Sequence, residues 1–350
     1  MTMAVTLADV AARAGVSPAT VSRVLNGNYP VAEATRRRVE RAVRDLDYVV
    51  NAHARALLHA TSGMIGVILA DIADPFFAAI AKGIHAAAAD LRRLVVVCTT
   101  QGSHAEELAY IEMLRRQRAE VVILVGGSIA DRSYRRELAA HARGLKAQGA
   151  RLVFCGRPAL NRTLAVGHVT FESADASKAL AESLATAGHR HIAYIAGPST
   201  LTIATDRQSE FSQALHQVGL ELDERLTMPG DFSRQSGYDA ARRLLASGAN
   251  FTALCAANDL MAIGALAAFR EAGVRVPDDV SLAGFDDIPG AQDVTPALTT
   301  VRLPLEEAGR RAVSLAFAGA AFTEPIRLPA ELVVRDSVAP ARRRRLRTSA

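Results

Sequence analysis

Residues 6–27, TLADVAARAGVSPATVSRVLNG, constrain this chain more than any other stretch. Thr6 stands three residues before Asp9, the spacing of a capping box at a helix N-terminus. Leu7, Val10, Ala11 and Ala14 then recur at helical period. Gly15 can take the positive φ that ends a helix, and the apolar Val16 is expected to tuck beneath the turn. Ser17 is placed to cap a second helix. Pro18 falls in its first turn, where a missing N–H breaks no hydrogen bond. Val21, Val24 and Leu25 give that helix its buried stripe. Its other face offers Ala19, Thr20, Ser22, Arg23 and Asn26, all small or hydrogen-bonding. A short polar face with one guanidinium, held at an angle by a glycine turn, can enter a major groove. The competing reading is an ordinary αα-hairpin; the stretch is read here as a helix-turn-helix.

Residues 33–46 follow as a third helix, with Val39, Ala42, Val43 and Leu46 on one face closing a three-helix head. Arg36, Arg37, Arg38, Arg41 and Arg44 cover the rest, a wet face from which one or two reach phosphate. Residues 48–60, YVVNAHARALLHA, are too short for a stable isolated helix. They read either as a plain linker or as a hinge that folds on DNA and wedges an apolar side chain into the minor groove.

From residue 64 apolar strands alternate with helices: strands at 64–70, 94–98, 121–125 and 151–155, with helices at 75–91, near 104–118 and near 132–148. A second series has helices near 174–187, from about 206, at 235–247 and at 260–272, and strands at 192–196, 252–256 and 280–285. Residues 298–301, 304–318, 326–328 and 331–334 complete it. Alternation of this kind makes parallel sheets covered on both faces, and two such lobes in tandem leave a cleft at the carboxyl ends of their strands. The expected division is 1–50 head, 51–62 hinge and linker, 63–340 two-lobed α/β body, and 341–350 a basic tail.

Charge placement agrees with a DNA-facing head. The chain carries a net +5, yet residues 1–60 hold eight Arg against five acidic residues, and the end of the chain contains Arg342, Arg343, Arg344, Arg345 and Arg347. The middle is therefore acidic. The tail run reads first as a solvated end and second as a DNA contact. Cys98, Cys155 and Cys255 lie in apolar runs without paired spacing, which suits buried thiols in a reducing cytoplasm. The first residues lack a signal-peptide pattern and no apolar run reaches membrane length, so no membrane partner is expected. There is no G-x-S-x-G, no phosphate loop and no G-x-G-x-x-G. His189 and His191 are read as surface histidines and Asp278–Asp279 as turn chemistry. No enzyme activity, cofactor or metal is expected.

The chain resembles the lactose-repressor (LacI/GalR) family of bacterial transcription regulators from end to end. The residues that carry the resemblance are TLADVAARAGVSPATVSRVLNG, NAHARAL, DPFF, ANDLMAIGAL, VPDDVSLAGFDD and TPALTTVRLP. It implies a homodimer on a palindromic operator, with a body similar to periplasmic sugar-binding proteins and a small-molecule effector, a sugar or sugar derivative, in the interlobe cleft. By that resemblance Pro18, Ala19 and Arg23 face bases, and Thr6, Ser17, Thr20, Ser22 and Asn26 face phosphates. In the hinge Asn51, Arg55 and Leu57 contact DNA, Leu57 by intercalating. Tyr48-Val49-Val50-Asn51 departs from the usual Tyr-x-Pro-Asn. In the cleft the resemblance points to Arg207 gripping ligand oxygens and Asp259 accepting sugar hydroxyls, unless Asp259 serves as a helix cap. Phe76, Phe77 and Phe232 are an aromatic rim or core, and Asp286 lines the cleft or serves a turn. Asp74 is a cap. Arg207 is expected in the first turn of its helix. Glu210 stands where relatives have glycine. The alternative function is a cytosolic sugar receptor without operator binding.

Overall fold

The computed structural model describes residues 5–26, 29–48, 63–157, 166–319 and 324–341. The chain divides into two compact units, Met1–Ser62 and Gly63–Ala350.

In the first unit three helices, α1 (Leu7–Ala14), α2 (Pro18–Asn26) and α3 (Glu33–Asp45), close around a small core. Val10, Ala11, Ala14, Val21, Val39 and Ala42 are buried there, with Val16, Val24 and Leu25 packed against them. The local signals act as their chemistry requires. Asp9 N–H donates to Thr6 Oγ1 at 3.3 Å while Asp9 Oδ2 accepts from Thr6 N–H at 2.8 Å, a complete capping box. Gly15 ends α1 at φ 64°. Thr20 N–H donates to Ser17 Oγ at 3.2 Å, capping α2. Arg13 pairs with Asp45 at 2.9 Å and joins α1 to α3.

The second unit holds two six-stranded sheets. The first lobe runs β1 (Met64–Leu69), α4 (Pro75–Asp90), β2 (Leu94–Thr99), α5 (His104–Arg116), β3 (Val121–Val125), α6 (Arg132–Ala147), β4 (Arg151–Cys155) and β5 (Gly167–Glu172). The second runs α7 (Ala174–Thr186), β6 (Ile192–Ala196), α8 (Thr202–Gln217), β7 (Thr227–Pro229), α9 (Arg234–Ala246), β8 (Ala253–Ala256), α10 (Asp259–Glu271), β9 (Ser281–Asp286), α11 (Gly290–Asp293) and β10 (Thr299–Arg302). The chain then returns to the first lobe through α12 (Leu305–Phe317) and β11 (Ile326–Pro329) and ends in the second with β12 (Glu331–Val333). Strand orders are β11-β5-β4-β3-β1-β2 and β12-β10-β9-β8-β6-β7, parallel except where β12 runs against β10. Three segments therefore cross between lobes: 172–174, 302–305 and 329–331.

Each lobe contains one glycine-lined helix crossing. A Cβ on Gly83 would sit 1.9 Å from the Glu306 carbonyl oxygen, where α4 meets α12, and one on Gly264 would sit 1.9 Å from that of Arg234, where α10 meets α9. Strands β5 and β7 are additions to the sequence reading, and α8 begins at Thr202 rather than near 206. Cys155 and Cys255 are buried as expected, but Cys98 is only half-buried on the edge strand β2.

Candidate functional site

Loops at the carboxyl ends of both sheets face each other across a cavity of about 80 Å³. The first lobe contributes Asp74, Phe76, Phe77, Gly126, Gly127, Gly156 and Phe171; the second contributes Leu201, Ile203, Arg207, Phe232, Asn258 and Asp286. Phe76 and Phe77 meet edge to face at 5.1 Å. Glycines make room for these rings: a Cβ on Gly126 would meet the Phe77 ring at 2.8 Å, and one on Gly197 the Phe232 ring at 2.4 Å. Beside the cavity the lobes touch directly. Thr202 N–H donates to Ser128 O at 2.8 Å next to an antiparallel bridge between Ile129 and Leu201.

The polar centre of the cavity is an ion pair. Arg207 donates to Asp286 Oδ1 and to the Ala257 carbonyl, both at 2.6 Å, and its guanidinium lies 4.1 Å from the centre of the Phe285 ring. Both members are buried, and Arg207 Nε has no hydrogen-bond partner among the described residues. Burial pushes the Asp286 carboxyl up to about 6 against the pull of Arg207, and the nearby Asp74 adds to the rise. Asp74 itself is raised, chiefly by burial. Its Oδ1 accepts from Phe76 N–H at 2.9 Å, so it is a helix cap that also lines the cavity. Phe232, Asp286 and Asp287 hold φ of 71°, 108° and 56°. Non-glycine backbone in that region is costly, and Phe232 and Asp286 hold it at the cavity wall.

Asp287 faces the other way. Its Oδ2 accepts from Arg302 Nε at 2.6 Å and its Oδ1 pairs with Arg335 at 2.7 Å, while Arg302 also pairs with Glu331 at 2.8 Å. Arg302 and Glu331 border two of the three interlobe crossings, so one carboxylate ties both to the strand end that presents Asp286.

Phe76, Phe77, Phe232, Arg207 and Asp286 are thus brought together, but three expectations are corrected. Asp259 does not line this cavity. Asn258 caps α10, accepting from Met261 N–H at 3.0 Å, and Asp259 turns inward to accept from Ile288 N–H at 2.9 Å and the Thr300 hydroxyl at 2.6 Å. It is fully buried, which pushes its carboxyl well above the usual range. Asn258 occupies the position that sequence reading gave to its neighbour. Arg207 lies in the second turn of α8, not the first, so a conflict with the helix dipole is not the reason to notice it. His189 is also corrected: it is buried, with Nδ1 2.9 Å from the Thr252 hydroxyl and Nε2 3.0 Å from the Ala339 carbonyl. Glu210 accepts from the Ser173 hydroxyl at 2.7 Å.

The larger groove that adjoins the cavity ends at a cluster the sequence reading did not single out. Arg157 donates to both Glu107 oxygens, at 3.0 and 2.6 Å, and to the Tyr134 hydroxyl at 2.9 Å; Tyr134 in turn donates to Glu107. Burial alone would raise the Glu107 carboxyl, but Arg157 outweighs it and holds it below the usual value. Among the described residues no cluster of His, Cys, Asp and Glu is arranged to hold a metal, and no helix is long and apolar enough to cross a membrane.

In the head, Ser17, Pro18, Ala19 and Arg23 are exposed on one side of α2, with Thr20 and Ser22 half-buried. Arg23 lies 5.5 Å from the exposed Tyr29 ring. Asn51, Arg55, Leu57 and the arginine-rich tail lie outside the described residues, as does the Asn26 side chain.

Residues 6–51 match the model of bacterial regulatory proteins, lacI family, and residues 181–338 match a periplasmic binding protein-like domain. Over 344 residues the chain is 33% identical to the HTH-type transcriptional regulator DegA of Bacillus subtilis (strain 168), covering 97% of this chain and 99% of DegA. The chain belongs to the lacI family. Among solved structures, this lacI-family protein is similar to the lac repressor dimer bound to operator and the anti-inducer ONPF, with a TM-score of 0.83, 28% identity, and 96% and 100% of the two chains covered. It is similar also to the transcriptional regulator CelR–cellobiose complex, with a TM-score of 0.68, 32% identity, and 95% and 99% covered. It is a helix-turn-helix transcriptional regulator, and its relatives are regulators rather than enzymes.

Proposed function

We propose that this protein binds a palindromic operator as a cytoplasmic homodimer, represses transcription, and is switched by a sugar or sugar derivative held between the lobes. The observation that carries the effector half is the Arg207–Asp286 pair at the centre of an aromatic-walled cavity shared by both lobes. Concave sites with a few convergent polar groups and a perturbed carboxyl are where small ligands bind. Two similar structures support the same reading, one bound to operator and the other to cellobiose. Dimerisation is supported by β2, which ends the first sheet with Leu94 and Val97 exposed, next to exposed Leu91. An apolar edge of this kind is normally covered.

The roles of the head residues follow from donor chemistry. Arg23 can hold guanine O6 and N7 together, Pro18 and Ala19 offer apolar contact to a thymine methyl, and the hydroxyls of Thr6, Ser17, Thr20 and Ser22 suit phosphate oxygens. Asn26 belongs with the phosphate group, and Asn51, Arg55 and Leu57 with the hinge. Arg23→Ala should weaken operator binding by about 5- to 150-fold, equivalent to about 1–3 kcal/mol. Binding to scrambled DNA should fall much less. Fluorescence anisotropy on the two duplexes decides this, and an equal loss on both would assign Arg23 to phosphate instead.

Effector binding acts by population shift: a ligand that prefers one lobe geometry favours that state, and residues 51–62 pass the change to the head. A hydroxyl donates far more strongly to Asp286 as the carboxylate than as the neutral acid. Since this carboxyl titrates near 6, effector affinity should fall by about tenfold between pH 7.5 and pH 5. Calorimetry at the two values tests it; equal affinity would remove Asp286 from the ligand contacts. Failure of the chain to prefer any operator, with sugar binding intact, would favour a plain sugar receptor.

A further inference from the structure

We infer that the body carries a DNA contact of its own: the outward face of α6, in the first lobe, binds the phosphate backbone of duplex DNA outside the operator. Arg132, Arg135, Arg136, Arg143 and Lys146 are all exposed on this helix. At about 100° per residue they share an arc of about 120° with Ala139, and the row from Arg132 to Lys146 is about 21 Å long. No carboxylate interrupts the arc. Asp131 caps the helix, accepting from Tyr134 N–H at 2.7 Å, and Glu137 falls outside the arc and accepts from the Ser133 hydroxyl at 3.1 Å. The side chains of Arg132, Arg135, Arg143 and Lys146 make no hydrogen bond or ion pair among the described residues, and the rest of the chain contains no Asp or Glu. Arg136 donates to the Ser133 hydroxyl at 3.1 Å. By contrast Arg116, Lys178 and Arg311, on three other helices of the body, each meet a glutamate one turn away. The middle of the chain is acidic as a whole, so composition does not account for this row.

Duplex DNA fits the row better than a protein does. A protein partner needs an apolar or aromatic anchor at the centre of its contact, and the arc offers only Ala139. Phosphates need charge and donors alone. Four of the five cations are guanidiniums, which match phosphate oxygens in pairs. One DNA strand carries a phosphate about every 3.4 Å of helix axis, so a row of about 21 Å faces about six of them. Such a contact reads no bases. It adds affinity and salt dependence on any duplex and leaves the choice of operator to the head.

The test is fluorescence anisotropy of the full chain on a random-sequence duplex of about 60 bp, between about 50 and 200 mM salt. The wild type is compared with a variant carrying Arg132→Ala, Arg135→Ala, Arg143→Ala and Lys146→Ala. The slope of log affinity against log salt should become shallower by at least about 2, and by about 3.6 if all four side chains reach phosphate. The head and the arginines after Pro340 are the same in both proteins, so the difference belongs to α6. Replacing the three arginines with lysine instead keeps the charge and should keep the slope. Arg143→Glu alone should lower it by about 1, so the test does not depend on the fourfold variant folding. An unchanged slope in the alanine and glutamate variants overturns the inference. So does poly-L-glutamate that binds the wild type and is lost in the alanine variant while the DNA slope stays, since the face then serves an acidic protein.

Discussion

Replacing Arg207 with methionine is expected to destabilise the body by about 3–5 kcal/mol at neutral pH and to abolish the effector response. The loss arises less from the missing contacts than from what remains: Asp286, buried and without its counter-ion. The pH dependence gives the prediction its sign. Asp286 titrates near 6 in the folded chain against an ordinary value of 3.8. A carboxyl raised by folding contributes stability that is full below about 3.8 and is lost as pH rises through about 6. Without Arg207 nothing opposes burial and the carboxyl rises further. The deficit of the variant should therefore be largest near pH 7.5 and shrink toward pH 5, where a protonated Asp286 needs no partner. Adding Asp286→Asn should recover much of the stability at neutral pH but none of the switching. Urea unfolding of the full chain at the two pH values is the measurement. A deficit below 1 kcal/mol at neutral pH, or one that grows on acidification, would contradict the account.

Asp287→Asn is expected to leave effector binding nearly intact while the operator ceases to respond. Asparagine keeps the volume of Asp287 and tolerates its φ of 56°. It removes the charge that holds Arg302 and Arg335. The link between the ligand-facing carboxylate and two of the interlobe crossings is then weakened without touching the cavity. Coupling between two ligands of one protein is typically worth about 1–3 kcal/mol, or 5- to 150-fold in affinity. In the variant that ratio should approach one. The ratio is obtained by titrating operator with and without saturating effector; an undiminished ratio would show that closure is transmitted elsewhere.

The head was legible almost residue by residue, because its signals are local. The Thr6–Asp9 box, the Gly15 turn and the apolar spacing each need only a few neighbouring residues to be recognised. The alternating body was legible too, since a strand buried on both faces reads as an unbroken apolar run. Strand β5, Gly167–Glu172, escaped because its polar alternation resembles a loop, although it pairs inside the sheet with β4 and β11. The cleft was half legible. Arg207 and the phenylalanines were found by type and resemblance, but the choice between Asn258 and Asp259 depends on which of two adjacent polar residues caps α10. Only the helix register decides that. The Glu107–Arg157–Tyr134 cluster joins residues 27 and 50 positions apart and had no local signal. His189 looked like a surface residue because its partners, Thr252 and Ala339, come from distant segments.

The most direct test of the central claim is fluorescence anisotropy of the full chain on a palindromic fragment from upstream of its own gene, titrated at fixed salt with and without a panel of mono- and disaccharides. The expected result is tight binding that scrambled DNA does not reproduce and that one sugar shifts by at least fivefold. Binding no tighter than to scrambled DNA, unaffected by every compound, would contradict it.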